Sequence, residues 1–154
     1  MEALHVIAGI LSVIFFAVAA YGLSVVVHEL AHALAARCCG IAIYRINLGW
    51  LKASCELGFT KETEHLWNRP GIRLFIGSAG IIATALLAIA FLLLCLATPA
   101  GSWASTILIL CGTVTLAMTL WELLPGADPG QDLFVCLQAI EELRGTAKAP
   151  NASN

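Results

Sequence analysis

The chain has 154 residues, of which 60% are hydrophobic and only 12% charged, with a formal net charge of −2. A soluble domain of this size carries about twice that charged fraction, and no basic cluster is present to suggest a nucleic-acid partner. Composition therefore points to one membrane-embedded domain with the lipid bilayer as its first partner.

Residues 4–36 contain no Lys, Arg, Asp or Glu except Glu29. As a helix this run extends roughly 50 Å at 1.5 Å per residue, more than a hydrocarbon core of about 30 Å. Such a helix must tilt, protrude or break, and Gly9 or Gly22 can host a break. The run lacks the basic start and the cleavage site of a signal peptide. It contains Val27-His28-Glu29-Leu30-Ala31-His32. Residues four apart lie on one helix face, so His28 and His32 can offer both imidazoles to one metal ion. Glu29, beside the first of them, is placed to act as general base toward a water on that metal. Two histidines can also occur by accident on a helix. Ionisable groups inside a membrane are costly, however, and mark function by default. His5 is at the far end of the same helix and is not expected to join them.

Residues 37–73 form the polar connection. The stretch 41–48 is rich in β-branched residues, Gly49 can turn the chain, and 51–59 can return as a partner strand. A small hairpin is expected there, followed by an irregular or briefly helical segment over 60–70, with His65 as a solvated residue. A second apolar run covers 74–97 and opens on Gly77-Ser78-Ala79-Gly80, small residues that permit close helix contact. After an uncharged turn at 98–102, a third run covers 103–124, with Trp103 and Trp121 as interfacial anchors and Glu122 near its end. Pro125-Gly126-Ala127-Asp128-Pro129-Gly130-Gln131-Asp132 then breaks the helix. A short helix is expected over 133–143, and 146–154 reads as a polar tail after a single domain spanning 1–145. The fold class is thus all-α and membrane-embedded: three spanning helices, a short C-terminal helix and a small hairpin.

Asp128 has two readings. Asp, then Pro, then Gln fits a helix N-cap, a first-turn proline and a capping box. A carboxylate at a helix break inside a membrane protein also suits a third metal ligand. The six cysteines form no Cys-x-x-Cys pair and read as reduced packing thiols, with Cys111 and Cys136 the two that a metal could use. Six of the eight Lys and Arg lie between Arg37 and Arg73. By the positive-inside rule that loop and the C-terminus are cytoplasmic, with the N-terminus outside.

Three stretches together resemble the site-2 protease-like intramembrane zinc metalloproteases, in a minimal form without a PDZ-like module. His28-Glu29-Leu30-Ala31-His32, followed by Gly40-Ile41 and Leu48-Gly49, resembles the family's metal-binding helix and the strand after it. Ser78-Ala79-Gly80-Ile81-Ile82-Ala83-Thr84 is similar to the family's Ala-Gly-Pro-x-x-Asn segment, with Ile81 and Thr84 at the proline and asparagine positions. Glu122-Leu123-Leu124-Pro125, then Ala127-Asp128-Pro129-Gly130 and Leu133-Phe134, resembles its Asn-x-x-Pro and Leu-Asp-Gly-Gly signature. The resemblance implies Zn²⁺ held by His28, His32 and Asp128, with Asp132 the alternative third ligand. It makes Glu29 the catalytic base and gives Glu122 a substrate-positioning place. The implied activity is hydrolysis of peptide bonds in or near transmembrane segments of membrane-protein substrates, with an exposed strand edge in 41–59 holding the unwound substrate. The other reading is a catalytically impaired zinc-binding relative acting as a membrane binding or regulatory protein. A bacterial inner membrane is the expected location. Substrate identity, oligomeric state and organism are not legible in the chain.

Overall fold

The computed structural model describes residues 2–49, 53–124 and 132–145. Helix α1 (Glu2–Cys38) is followed by strands β1 (Ala42–Leu48) and β2 (Ala53–Gly58), and by a one-turn helix α2 (Glu64–Trp67). Helices α3 (Pro70–Leu96), α4 (Trp103–Glu122) and α5 (Asp132–Leu143) complete the order. Among the described residues three helices are long and apolar enough to cross a membrane: Ala3–Cys38, Pro70–Leu96 and Trp103–Glu122. Many large apolar side chains along them face outward, among them Leu4, Phe15, Leu86, Leu93 and Leu120. That is the surface a lipid solvent requires.

Helix α1 runs unbroken through Gly9 and Gly22, so of tilt, protrusion and a break, the break is not taken. Its 37 residues extend about 55 Å, and tilt or protrusion absorbs the excess length. The helix stops where the sequence supplies a left-handed residue. Gly40 has φ +78°, its N–H donates to the Arg37 carbonyl, and the Ile41 N–H donates to the Ala36 carbonyl at 2.9 Å. These two bonds make a Schellman cap. Its apolar contact is the buried cluster of Ala35, Ala36, Ile41 and Ile76, which ties the hairpin entry to α3.

Strands β1 and β2 pair antiparallel from Ala42↔Gly58 to Leu48↔Ala53, with an irregularity between Ile43 and Arg45. This is the expected hairpin, trimmed to residues 42–58. Helix α3 begins at Pro70, whose missing N–H costs nothing in a first turn. Ser102 caps α4 by accepting from the Ser105 N–H at 3.1 Å. Helices α1 and α4 are joined inside the bundle by Ser24 Oγ and Thr115 Oγ1, 2.9 Å apart and both fully buried. The small residues bring α3 close to two partners. Gly77 meets Cys136 and Val135 of α5, while Gly80 meets the rings of His28 and His32 on α1. Helix α3 thus packs against α1 on one stretch and α5 on another, and the candidate site lies between them.

Candidate active site

His28, Glu29 and His32 are all buried on α1, at 5, 7 and 7% exposure. A helix dictates that the two imidazoles stack one turn apart, and their ring centroids are 4.7 Å apart. The His32 ring is oriented from α3: its Nδ1 lies 2.7 Å from the Ile76 carbonyl oxygen. A carbonyl only accepts, so Nδ1 carries the proton and donates. In the neutral ring Nε2 is then the lone-pair atom, the tautomer that a metal ligand needs. The corresponding Nδ1 of His28 is buried and has no hydrogen-bond partner among the described residues. That ring is positioned by packing against His32 and the bare backbone of Gly80.

Asp132 is the first residue of α5 and brings a carboxylate to both rings. Its Oδ2 is 2.8 Å from His28 Nε2 and 2.8 Å from His32 Nε2, and the two nitrogens are 3.1 Å apart. Three acceptor-type atoms therefore meet at one point. A proton can serve one or two of these contacts, whereas a divalent cation satisfies all three at once. Tetrahedral ligands on bonds of about 2.0–2.1 Å sit roughly 3.3 Å apart, within about half an ångström of the 2.8–3.1 Å spacing seen here.

The space for such an ion exists because residue 80 has no side chain. A Cβ there would lie 2.5 Å from His32 Nε2 and 2.6 Å from His28 Nε2. Two imidazoles and one carboxylate are also the donor set that suits zinc. The residues present therefore fit a metal. Among the described residues His28, His32 and Asp132 are the one group of three ligand-type side chains that converges.

The structure places the remaining candidates as follows. Asp128 lies outside the described residues; among those described, the carboxylate brought to both imidazoles is Asp132. Glu29 and Glu122 line the same cavity as the cluster, a space of about 1090 Å³. One side of that cavity is strand β2, through Ala53, Ser54, Cys55 and Leu57, and another is α4, through Val114, Met118 and Trp121. His5 lies at the other end of α1 beside Trp103, and His65 is exposed on α2. Cys111 and Cys136 are buried thiols outside the cluster. Thr84 turns its hydroxyl back to the Gly80 carbonyl at 3.1 Å, inside its own helix.

Sequence reasoning did not find the Ile76 carbonyl or the function of Gly80. The first is a backbone atom with no residue signature. The second had a signal, because Gly80 belongs to the small-residue opening of α3.

The model of Peptidase family M50 matches residues 15–149. Neither the curated proteins nor the solved structures give a match. The matched span begins before the paired histidines and ends after α5, so it takes in every element that supplies the site. The chain belongs to peptidase family M50, the site-2 protease family.

Proposed function

We propose that the protein is a zinc-dependent intramembrane endopeptidase, with His28, His32 and Asp132 holding the ion and Glu29 acting as general base. The observation that carries this reading is the meeting of His28 Nε2, His32 Nε2 and Asp132 Oδ2 at 2.8–3.1 Å, in a cavity that also receives Glu29. Family membership supports a protease. The metal assignment rests on the donor set and on the room left by Gly80.

Zinc, when bound there, supplies Lewis acidity toward water and the scissile carbonyl. The chain's own residues do the rest. The Ile76 carbonyl holds the His32 ring in one tautomer and one orientation. The Glu29 carboxylate takes the proton of the attacking water and returns it to the leaving amine nitrogen. Strand β2 forms a wall of the cavity, and among the described residues it pairs only with β1. A substrate strand added to its other edge would run past Glu29 and the cluster, with main-chain hydrogen bonds replacing those lost when a transmembrane helix unwinds. Substrates on this reading are membrane-spanning or membrane-proximal segments. The loop over 37–73 and the C-terminus face the cytoplasm of a bacterial cell, following the distribution of Lys and Arg. Residues 1–145 act as one unit.

A second reading keeps the zinc and drops efficient proteolysis, leaving a binding or regulatory protein. It draws on Glu122, which puts a further carboxylate in the cavity where the family signature has asparagine. One experiment separates the two. The purified protein is reconstituted with a single-span substrate, stripped by a chelator and reloaded with zinc. Cleavage that disappears and returns supports the protease. Stoichiometric zinc with no cleavage of any substrate in a panel supports the regulator.

A further inference from the structure

Asp132 reaches the imidazoles only because α5 is seated on α3, and the seating has a definite construction. On α3, Arg73, Gly77 and Gly80 fall on one face at helical spacing. On α5 so do Asp132, Val135, Cys136, Ala139 and Glu142. The helices run antiparallel, so the start of α3 meets the end of α5. There Arg73 Nη2 donates to Glu142 Oε2. In the middle, Gly77 lets the Cys136 thiol approach until a Cβ would be only 3.1 Å from its sulfur. Ala139 is completely buried. At the far end Asp132 meets the rings above Gly80.

We propose that the Arg73–Glu142 ion pair is a positioning clamp for the metal centre, fixing the angle and register of α5 and through them the approach of Asp132. The inference rests on the metal-centre reading above. The two ends are ten residues apart on one helix, about 15 Å, so neither Arg73 nor Glu142 touches the cluster. The middle of the interface is held by close packing of small residues and a weak contact of the Cys136 thiol with the Leu74 carbonyl at 3.9 Å, and the Arg73–Glu142 pair adds a directional charged bond at its far end. The Arg73 side chain is 13% exposed and that of Glu142 30%, so the pair is shielded enough that removing one partner strands the other. Strict metal geometry makes the centre sensitive: ligand distances must hold within about 0.2 Å, and a small tilt of a 15 Å lever exceeds that.

Two measurements on the full chain test this. The first is zinc affinity by competition with a chelating dye. Arg73→Gln and Glu142→Gln should each weaken zinc binding about tenfold, at the lower end of the range typical of residues that support ligands. The reciprocal swap, Arg73→Glu with Glu142→Arg, should recover most of the loss. The second measures seating without metal. Gly77→Cys faces the native Cys136, and disulfide formation between them reports α5 docked on α3. Adding Arg73→Gln should slow that crosslinking about tenfold. Wild-type zinc affinity in both single variants would overturn the clamp, as would unchanged crosslinking, or a swap that binds no better than the singles. A wild-type chain that binds no zinc, together with Gly77→Cys crosslinking that still depends on Arg73, would defeat the metal-centre reading and leave the seating of α5 by the Arg73–Glu142 pair standing.

Discussion

Gly80→Ala puts a methyl group where the two imidazoles meet. The new Cβ would lie 2.5 Å from His32 Nε2 and 2.6 Å from His28 Nε2 and Cε1. An ordinary contact needs about 3.5 Å, so roughly 1 Å must be found. If the rings give way, their nitrogens leave the point they share with Asp132 Oδ2. If α3 gives way, the Ile76 carbonyl leaves His32 Nδ1 and the ring loses its orientation. Either route exceeds the ~0.2 Å tolerance of a zinc site. Zinc affinity should fall by at least about 100-fold, or ~2.8 kcal/mol at ~1.4 kcal/mol per tenfold. The fold should survive. Alanine improves the helix by up to ~1 kcal/mol over glycine, against an overpacking cost of about 1–3 kcal/mol. Gly9→Ala and Gly22→Ala are the controls, because a Cβ at either meets nothing within 4 Å among the described residues. They should keep wild-type zinc and be neutral or slightly stabilised. The assay is zinc content by elemental analysis of detergent-purified protein, beside a thermal unfolding curve. A Gly80→Ala protein with full zinc and wild-type affinity would refute the reasoning.

Three further outcomes are expected. Asp132→Asn should strip the zinc while Asp128→Asn keeps it, by the same metal analysis, and the reverse result would assign the third ligand to residue 128. Ser24→Ala or Thr115→Val should lower the unfolding free energy in detergent by about 1 kcal/mol, the scale of an interhelical hydrogen bond within a membrane. A stability unchanged in both would remove the α1–α4 tie. Single cysteines placed at 61–63 and 100–102 on a cysteine-free background should label from opposite sides of the membrane. Labelling of both from one side would contradict three crossings.

Much of the scaffold was legible because each element has a local cause. The charge-free runs mark α1, α3 and α4. Gly40 ends α1, β-branched residues over 41–48 mark the hairpin, and His28, Glu29 and His32 announce themselves by spacing on a single helix. Of the alternatives open to α1, tilt, protrusion or a break at Gly9 or Gly22, the break did not occur, because a glycine permits a kink without requiring one. The carboxylate that meets the two rings was harder to read. Near Asp128 the local signals of a cap and those of a ligand coincide, and which carboxylate reaches the rings depends on how the chain returns from α4. No short-range pattern encodes that return. The Ile76 carbonyl belongs to the backbone, so any residue could supply it. Gly80 acts through the side chain it lacks, and its meaning appears only once α1 lies against it. Arg73 and Glu142 are 69 positions apart, and neither has a neighbour in sequence that points to the other.

The central claim is that Glu29 moves a proton in a metal-dependent cleavage. Its most direct test is Glu29→Gln, reconstituted in lipid with a single-span substrate, with cleavage and zinc content measured on the same sample. Glutamine keeps the size of the side chain and cannot accept the proton. The expected result is full zinc with cleavage lowered by about 10²–10⁴-fold, the usual contribution of a positioned general base. A Glu29→Gln protein that holds its zinc and cleaves at the wild-type rate would contradict the account.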